Sequence, residues 1–490
     1  MTIDEVPEIT IETVKTRAVK GVIVLTGRTF FLSVTSLIAT GFLTIFLEPS
    51  QFGIFWIVSA IVSFLSYFSD VGLAAALIQK KEKPKETDLR TTFTFQQILV
   101  LTILIIMIGG SPIIVKVYNL SRDGLFLLYS LGLSLFFSSL KTIPSILLER
   151  ELEFGKLVIP QVVENLVYNL IVVFLAWRGF GISSFTWAVL IRGIVGLVLI
   201  YILKPWRPSL GMNKKSVKEL LAYGVPYQAN TFLAAIKDDG LTAVLGGILG
   251  ATGVGYLGWA QKWGYSPLRF FMDHVLKITF PAFARLQDNP EELKRTVGRS
   301  IFFICFLVFP MLFGLLSVAP VLVNIIPRYG KWTPALLALS LIGINTVFAA
   351  ITTPLTNLLN SIGKIKITFK LMVMWTVLTW MLVPILAIKF GVNGAALGYA
   401  LVSSSSIVTI FITKKFVNFS LWESALKPLI ASSVMAMGVL GMRRYLPDSW
   451  RTIVVLIVLG FIIYIVTSYI LIGQSLIEDI KKSYKTIVTK

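Results

Sequence analysis

Residues 142–156, TIPSILLERELEFGK, and residues 352–364, TTPLTNLLNSIGK, carry one pattern in the two halves of the chain. In each, a proline follows a threonine by two positions and is read as internal to a single spanning helix (Pro144 and Pro354), and Gly-Lys closes the segment. Downstream, FGISSFTWAVL at 180–190 matches FGVNGAALGYAL at 390–401. Upstream, GVIVLTGRTFF from Gly21 opens a segment that reaches Gly53, and GVPYQANTFL from Gly224 opens one that reaches Gly255. Such self-similarity marks an internal repeat. Each copy holds six apolar segments, and an even number makes both copies enter a membrane from the same side. The pattern therefore predicts two parallel lobes related by an axis along the membrane normal, with a binding site near mid-membrane where they face each other.

Composition requires the membrane. The chain has 490 residues, of which 56% are hydrophobic and only 14% charged, with a mean hydropathy of +0.82, which excludes an ordinary soluble globular protein. Crossing about 30 Å of hydrocarbon takes about 20 apolar residues, and on that scale fourteen spans are predicted, from 21–46 to 452–473. The fold class is an all-α polytopic membrane protein, two six-helix lobes plus two extra C-terminal helices. The predicted organisation is a cytoplasmic segment (1–20), a first lobe (21–203), a Pro-rich basic linker (204–216), a second lobe (217–415), helices 13 and 14 (416–473) and a cytoplasmic tail (474–490). The first twenty residues lack the apolar core and cleavage site of a removable signal. The single cysteine, Cys305, excludes an intramolecular disulfide, a CxxC pair and a cysteine-built metal site.

The loop charges fix the orientation. The N-terminal segment and every second loop after it hold 29 of the 45 Lys and Arg residues, and the opposite loops hold 9. Basic residues gather on the cytoplasmic side, so both termini are expected there. The net charge of +20 then marks an inner membrane surface and its anionic lipids, with no need of nucleic acid. The remaining 7 cations, Arg28, Lys141, Arg192, Lys237, Lys262, Arg269 and Lys277, fall inside predicted spans.

A charge at bilayer depth costs about 2.5–3.5 kcal/mol on insertion scales unless it faces a partner or a watery cavity. In QKWGYSPLRFFMDHVLKITFPAFARLQ (261–287), Lys262, Ser266, Arg269, Asp273 and Lys277 lie on one helical face. Pairing within the helix, Arg269 with Asp273 above all, is the structural alternative to a functional row. The candidate ligand-binding residues are Arg28, Lys141, Arg192, Asn230, Lys237, Lys262, Arg269 and Lys277. Asp70, Glu164, Asp238, Asp239, Asp273 and the sole histidine, His274, are the candidates for ion coupling, with the adjacent pair Asp238 and Asp239 favoured. No catalytic or metal-binding residue is expected. Trp259, Trp263 and Tyr265, near the outer end of the eighth span, read as an interfacial belt.

EPSQFGIF, FSDVGLAAALIQKKE, LLERELEFGK and ITFPAFARLQDNPEEL, in that order, resemble the polysaccharide transporter branch of the multidrug/oligosaccharidyl-lipid/polysaccharide superfamily, the Wzx-type flippases. The resemblance runs from about residue 15 to residue 415. It implies a V-shaped, two-lobed transporter in the cytoplasmic membrane that carries an undecaprenyl-pyrophosphate-linked oligosaccharide, such as an O-antigen unit, to the outer leaflet by alternating access. It further implies a cationic cavity, no cofactor, and drive from a proton or sodium gradient or the membrane potential. Expected partners are the lipid-linked cargo, membrane lipids and other polysaccharide assembly proteins, around a monomer. Two alternatives stand beside it: a multidrug antiporter of the same superfamily, and a membrane-embedded polymerase or glycosyltransferase. The intramembrane cations and the short outer loops weigh against each in turn, and no Walker A or HExxH motif is present.

Overall fold

The computed structural model describes residues 11–80 and 82–473; the side chains of 11–20, 22, 23, 227 and 229–231 lie outside the described set. The tail 474–490, half of the segment 1–20 and the side chain of Asn230 are therefore outside the described residues.

Sixteen α-helices follow in order: α1 Ile11–Phe46, α2 Pro49–Ser66, α3 Leu73–Gln79, α4 Glu86–Tyr118, α5 Arg122–Leu140, α6 Thr142–Arg150, α7 Phe154–Trp177, α8 Ser183–Leu203, α9 Lys214–Ala235, α10 Leu241–Leu286, α11 Pro290–Ile325, α12 Leu336–Ser361, α13 Ile365–Ser404, α14 Ile407–Lys414, α15 Lys427–Arg443 and α16 Trp450–Ile472. Two π-helical turns, Ile236–Gly240 and Trp422–Leu426, and a 3₁₀ turn, Gly330–Ala335, complete the set, and the described residues form no strand. A membrane imposes this: only helices or closed barrels satisfy every backbone group away from water.

Among the described residues twelve stretches are long and apolar enough to cross a membrane, and two of them, Phe232–Leu286 and Ile365–Lys414, run to 55 and 50 residues. At 1.5 Å per residue these would span roughly 80 Å and 75 Å, more than twice the hydrocarbon thickness. Each is broken by a glycine with non-helical angles, Gly250 (φ 66, ψ 177) and Gly391 (φ 61, ψ −141). Counted as pairs, they give the fourteen spans.

By their contacts the residues form two compact units, Met1–Gly255 and Tyr256–Lys490. In the first, α7 packs on α1 and α8, and α5 on α4 and α8; in the second, α11 packs on α12 and on α15 and α16, and α12 on α13 and α14. The core of the second unit includes Ile301, Ile304, Cys305 and Val308 from α11 with Leu355 and Leu358 from α12, all fully buried. The lobes drawn from sequence symmetry meet at 204–216, whereas contacts divide the chain at Gly255.

The turns of the repeat share a backbone conformation. After α6, Leu152 adopts φ 55; its N–H donates to Glu149 O at 3.0 Å, and that of Glu153 to Leu148 O at 2.9 Å. After α12, Gly363 adopts φ 78, with the same bonds from Gly363 N to Asn360 O (3.1 Å) and Lys364 N to Leu359 O (2.8 Å). This is the Schellman closure of a helix end. The Phe-Gly turns also match: Gly181 has φ 55 and Gly391 φ 61.

The two repeat prolines differ. Pro354 is inside α12, as expected, but the fourth span breaks at Lys141, so Pro144 sits in the first turn of α6. There a missing N–H breaks no bond within the helix. The carbonyl that Pro144 cannot satisfy, Leu140 O, accepts instead from the Tyr201 hydroxyl of α8 at 3.0 Å. The second span breaks too, at Val71 and Gly72 (φ 49 and 77) between α2 and α3.

Within the first unit, Pro49–Gly53 crosses Ala251–Gly255 backbone to backbone. A Cβ on Gly53 would fall 1.6 Å from Ala251 O, and one on Gly255 would fall 1.9 Å from Pro49 O. The contact is reciprocal, since the register that carries Gly53 onto Gly255 also carries Pro49 onto Ala251.

Candidate functional site

The structure gathers one charged cluster from three helices of the first unit. The carboxylate of Glu164, on α7, is buried. Its Oε1 accepts from Lys141 Nζ at 2.7 Å, and its Oε2 lies 3.6 Å from Arg192 Nε of α8. Lys141 stands at the break between α5 and α6, so the turn that accommodates Pro144 also aims this cation at α7. Gly196, one helical turn beyond Arg192, makes room for the acid: a Cβ there would fall 1.6 Å from Oε1. The Arg192 side chain is 50% exposed and its guanidinium lies over the Tyr168 ring at 5.8 Å. Its Nη groups donate no hydrogen bond among the described residues.

A polar ladder continues beside the cluster. Asn165 Oδ1 accepts from Thr35 Oγ1 of α1 at 2.8 Å and from Asn169 Nδ2 at 2.9 Å, and Asn165 Nδ2 donates to Ser36 Oγ at 3.3 Å. Arg28, lower on α1, has a buried Nε with no hydrogen-bond partner among the described residues.

Lys237, Asp238 and Asp239 lie in the π-helical turn Ile236–Gly240, which packs on α2. The wider turn interrupts the α-helical ladder, a device common at functional positions. Lys237 Nζ stands 3.4 Å from Asp238 Oδ1. Asp70 has a plainer role: both its carboxylate oxygens accept from Ala74 N, at 3.3 and 3.2 Å, which caps α3.

In the second unit, Lys262, Arg269, Asp273 and Lys277 of α10 are all exposed. Arg269 does not pair with Asp273, and none of the four forms an ion pair among the described residues. Ser266 turns back to Trp263 O at 2.8 Å, and His274 is half-buried, one position off the row. The expected aromatic belt is corrected at Trp259. That ring is 3% exposed and stacks on the buried Trp332 with centroids 5.5 Å apart at 13°, because the 3₁₀ turn Gly330–Ala335 folds an aromatic over it. It is core.

Sequence reasoning missed a connection between two of its own motifs. Arg150, of LLERELEFGK, donates from Nη1 to Leu77 O (2.6 Å), Ile78 O (3.0 Å) and Lys80 O (2.7 Å), and from Nη2 to Glu82 O (2.9 Å). These are the carbonyls at and beyond the end of α3, in FSDVGLAAALIQKKE. One guanidinium thus terminates a helix. Nearby, the Asp88 carboxylate accepts from Lys80 Nζ at 2.8 Å and from Ser216 Oγ at 2.8 Å, and the first of these bonds holds the Lys80 ammonium above its ordinary pKa.

Helices long and apolar enough to cross a membrane, with ionisable groups among them, define a multi-pass membrane protein. The chain belongs to the family of polysaccharide biosynthesis proteins, which it matches over residues 42–337. It is 24% identical to the lipopolysaccharide biosynthesis protein WzxC of Escherichia coli (strain K12) over 420 residues, covering 82% of this chain and 78% of the relative. It is 22% identical to the succinoglycan biosynthesis transport protein ExoT of Rhizobium meliloti (strain 1021) over 279 residues, covering 56% of this chain and 55% of the relative. Among solved structures, the lipid II flippase MurJ in an inward closed conformation shares the fold with a TM-score of 0.75 at 16% identity, covering 93% of this chain and all of that one.

Proposed function

We propose that the protein is a flippase, not an enzyme, which moves a polyprenyl-pyrophosphate-linked oligosaccharide from the cytoplasmic to the outer leaflet of the cell's inner membrane, for assembly of a surface polysaccharide. Both termini face the cytoplasm in this reading, following the basic loops. The observation that carries it is the exposed row of cations on α10, Lys262, Arg269 and Lys277, with no anion paired to them among the described residues. At about 2.5–3.5 kcal/mol per charge on insertion scales, three such groups are costly in a span that faces only lipid. A diphosphate passing along the helix supplies the missing anion, and Lys and Arg donors replace its water. The three cations are spaced by seven or eight residues, so each step is roughly 10–12 Å, and the headgroup can move from one to the next without being trapped. The first unit has intramembrane cations of its own, Lys141, Arg192, Lys237 and Arg28, and the prenyl tail stays in lipid.

Drive from an ion gradient or the membrane potential is part of the proposal, with Asp238 and Asp239 as its carboxylates. Family membership, the similarity to the biosynthesis protein WzxC and the transport protein ExoT, and the fold shared with the flippase MurJ support the reading. The test is to delete the gene in its own cell and follow labelled lipid-linked repeat units. The proposal expects them to accumulate on the cytoplasmic leaflet, unpolymerised. Normal export without the protein contradicts it.

A further inference from the structure

The described contacts of Lys141 and Arg192 leave Glu164 as their sole anionic partner. The acid accepts a 2.7 Å hydrogen bond from the lysine and is held only loosely by the arginine, whose nearest atom is Nε at 3.6 Å. The Nη fork of Arg192, the part suited to a planar or phosphate anion, makes no hydrogen bond among the described residues, and the side chain is half-exposed. Glu164 is also seated directly against Gly196, where a Cβ would lie 1.6 Å from Oε1. The cluster therefore carries a net charge of one positive unit with the acid ionised, and two with the acid protonated. A diphosphate diester carries one negative charge on each phosphate.

We infer that Glu164 is a resident stand-in for the cargo's diphosphate: it occupies Lys141 and Arg192 when the site is empty, and takes up a proton when the diphosphate displaces it. The inference rests on the flippase reading and adds how the first unit's cation pair is emptied and reset. The step is a proton transfer without redox change. One proton passes from water to a Glu164 carboxylate oxygen as Lys141 and Arg192 turn to the phosphates, and it returns to water when the cargo leaves. Displacement without the proton would leave an ionised, buried carboxylate beside an incoming dianion, and both burial and like-charge repulsion oppose that.

The charged and titratable groups around Glu164 are few. Lys141 approaches from the α5–α6 junction, Arg192 from α8 and Tyr168 from its own helix. α1 presents Thr35 and Ser36 to the neighbouring Asn165, and its one charge in the stretch Val24–Phe46 is Arg28. The charges of α6, Glu149 and Arg150, are at its far end, where Arg150 is bonded to the carbonyls after α3. Among the described residues no second carboxylate lies within ion-pair distance of Lys141 or Arg192, so the proton has one seat.

The test is calorimetry on the purified full-length protein with a short-chain prenyl diphosphate linked to a single sugar, a diester whose phosphates do not titrate near neutral pH. Heats measured in buffers of different ionisation enthalpy give the protons taken up per ligand bound. The wild type should take up about one, and its affinity should then rise about tenfold per unit fall in pH over the range where that uptake occurs. Glu164→Gln, which keeps the shape and removes the titration, should bind the same ligand with uptake near zero and a flat pH profile. Binding by the wild type without proton uptake overturns the inference, and needs no variant to fold. Equal uptake by wild type and Glu164→Gln overturns it as well. Absence of any diphosphate binding by the wild type contradicts the flippase reading itself.

Discussion

At the scale of single residues, the cluster around Glu164 shows what position does to a charge. Lys141 and Arg192 stand out in the sequence as cations inside spans, and Glu164 as a deep carboxylate, but nothing in their spacing joins them. They are separated by 23 and 28 positions on three segments, and which face of each helix turns to which neighbour is set by packing. The one local sign was Gly196, a turn after Arg192, and a glycine in an apolar helix has many explanations. Here it is space for a carboxylate. Gly196→Ala should therefore force Glu164 away from α8 and destabilise the protein by about 1–3 kcal/mol, as overpacking of a tight contact does. A lowered melting temperature in detergent checks this, and an unchanged one means that the acid is not seated against α8. Trp259 is the opposite lesson. An aromatic near a span end reads equally well as membrane belt or as core, and only the fold of residues 330–335 decides.

At the scale of elements, the spans were legible because they rest on length and composition, whereas their breaks were not. The fourth span was expected as one helix with an internal proline. It breaks at Lys141, and Tyr201 satisfies the carbonyl that Pro144 leaves open. That compensation predicts a thermodynamic coupling. Tyr201→Phe alone should cost about 1 kcal/mol. In a Pro144→Ala background, where the restored backbone N–H can donate to Leu140 O, it should cost clearly less. A double-mutant cycle on thermal stability measures the difference; strictly additive effects would contradict the account. The π-helical turn at 236–240 was equally hidden, although the sequence marked its Lys237, Asp238 and Asp239 as unusual. If those two acids couple transport to a gradient, beyond the proton that Glu164 carries, Asn at both positions should lessen the dependence of flipping in proteoliposomes on an imposed pH gradient. Undiminished gradient dependence dismisses them from that role.

At the scale of the whole molecule, the internal repeat was read from three short matches, and the structure gives those matches a common physical content. The paired turns close with the same hydrogen bonds at Leu152 and Gly363 and the same positive φ at Gly181 and Gly391. The glycines that end the first matched segments, Gly53 and Gly255, lie at a reciprocal backbone crossing. Function was legible more coarsely. Composition and loop charge pointed to a multi-pass membrane protein, the residual cations to an anionic cargo, and motif order to a family that the comparisons bear out. The central claim is that the exposed cations of α10 are the path of a diphosphate headgroup. Its most direct measurement is complementation of a flippase-deficient strain by Lys262→Ala and Arg269→Ala combined, with membrane levels of the protein checked in parallel. The account predicts a protein present at normal level and no surface polysaccharide, with Arg269→Lys alone partly active because it keeps the charge and loses the planar fork. Normal glycan export by the double variant would contradict it, and would make the row on α10 structural.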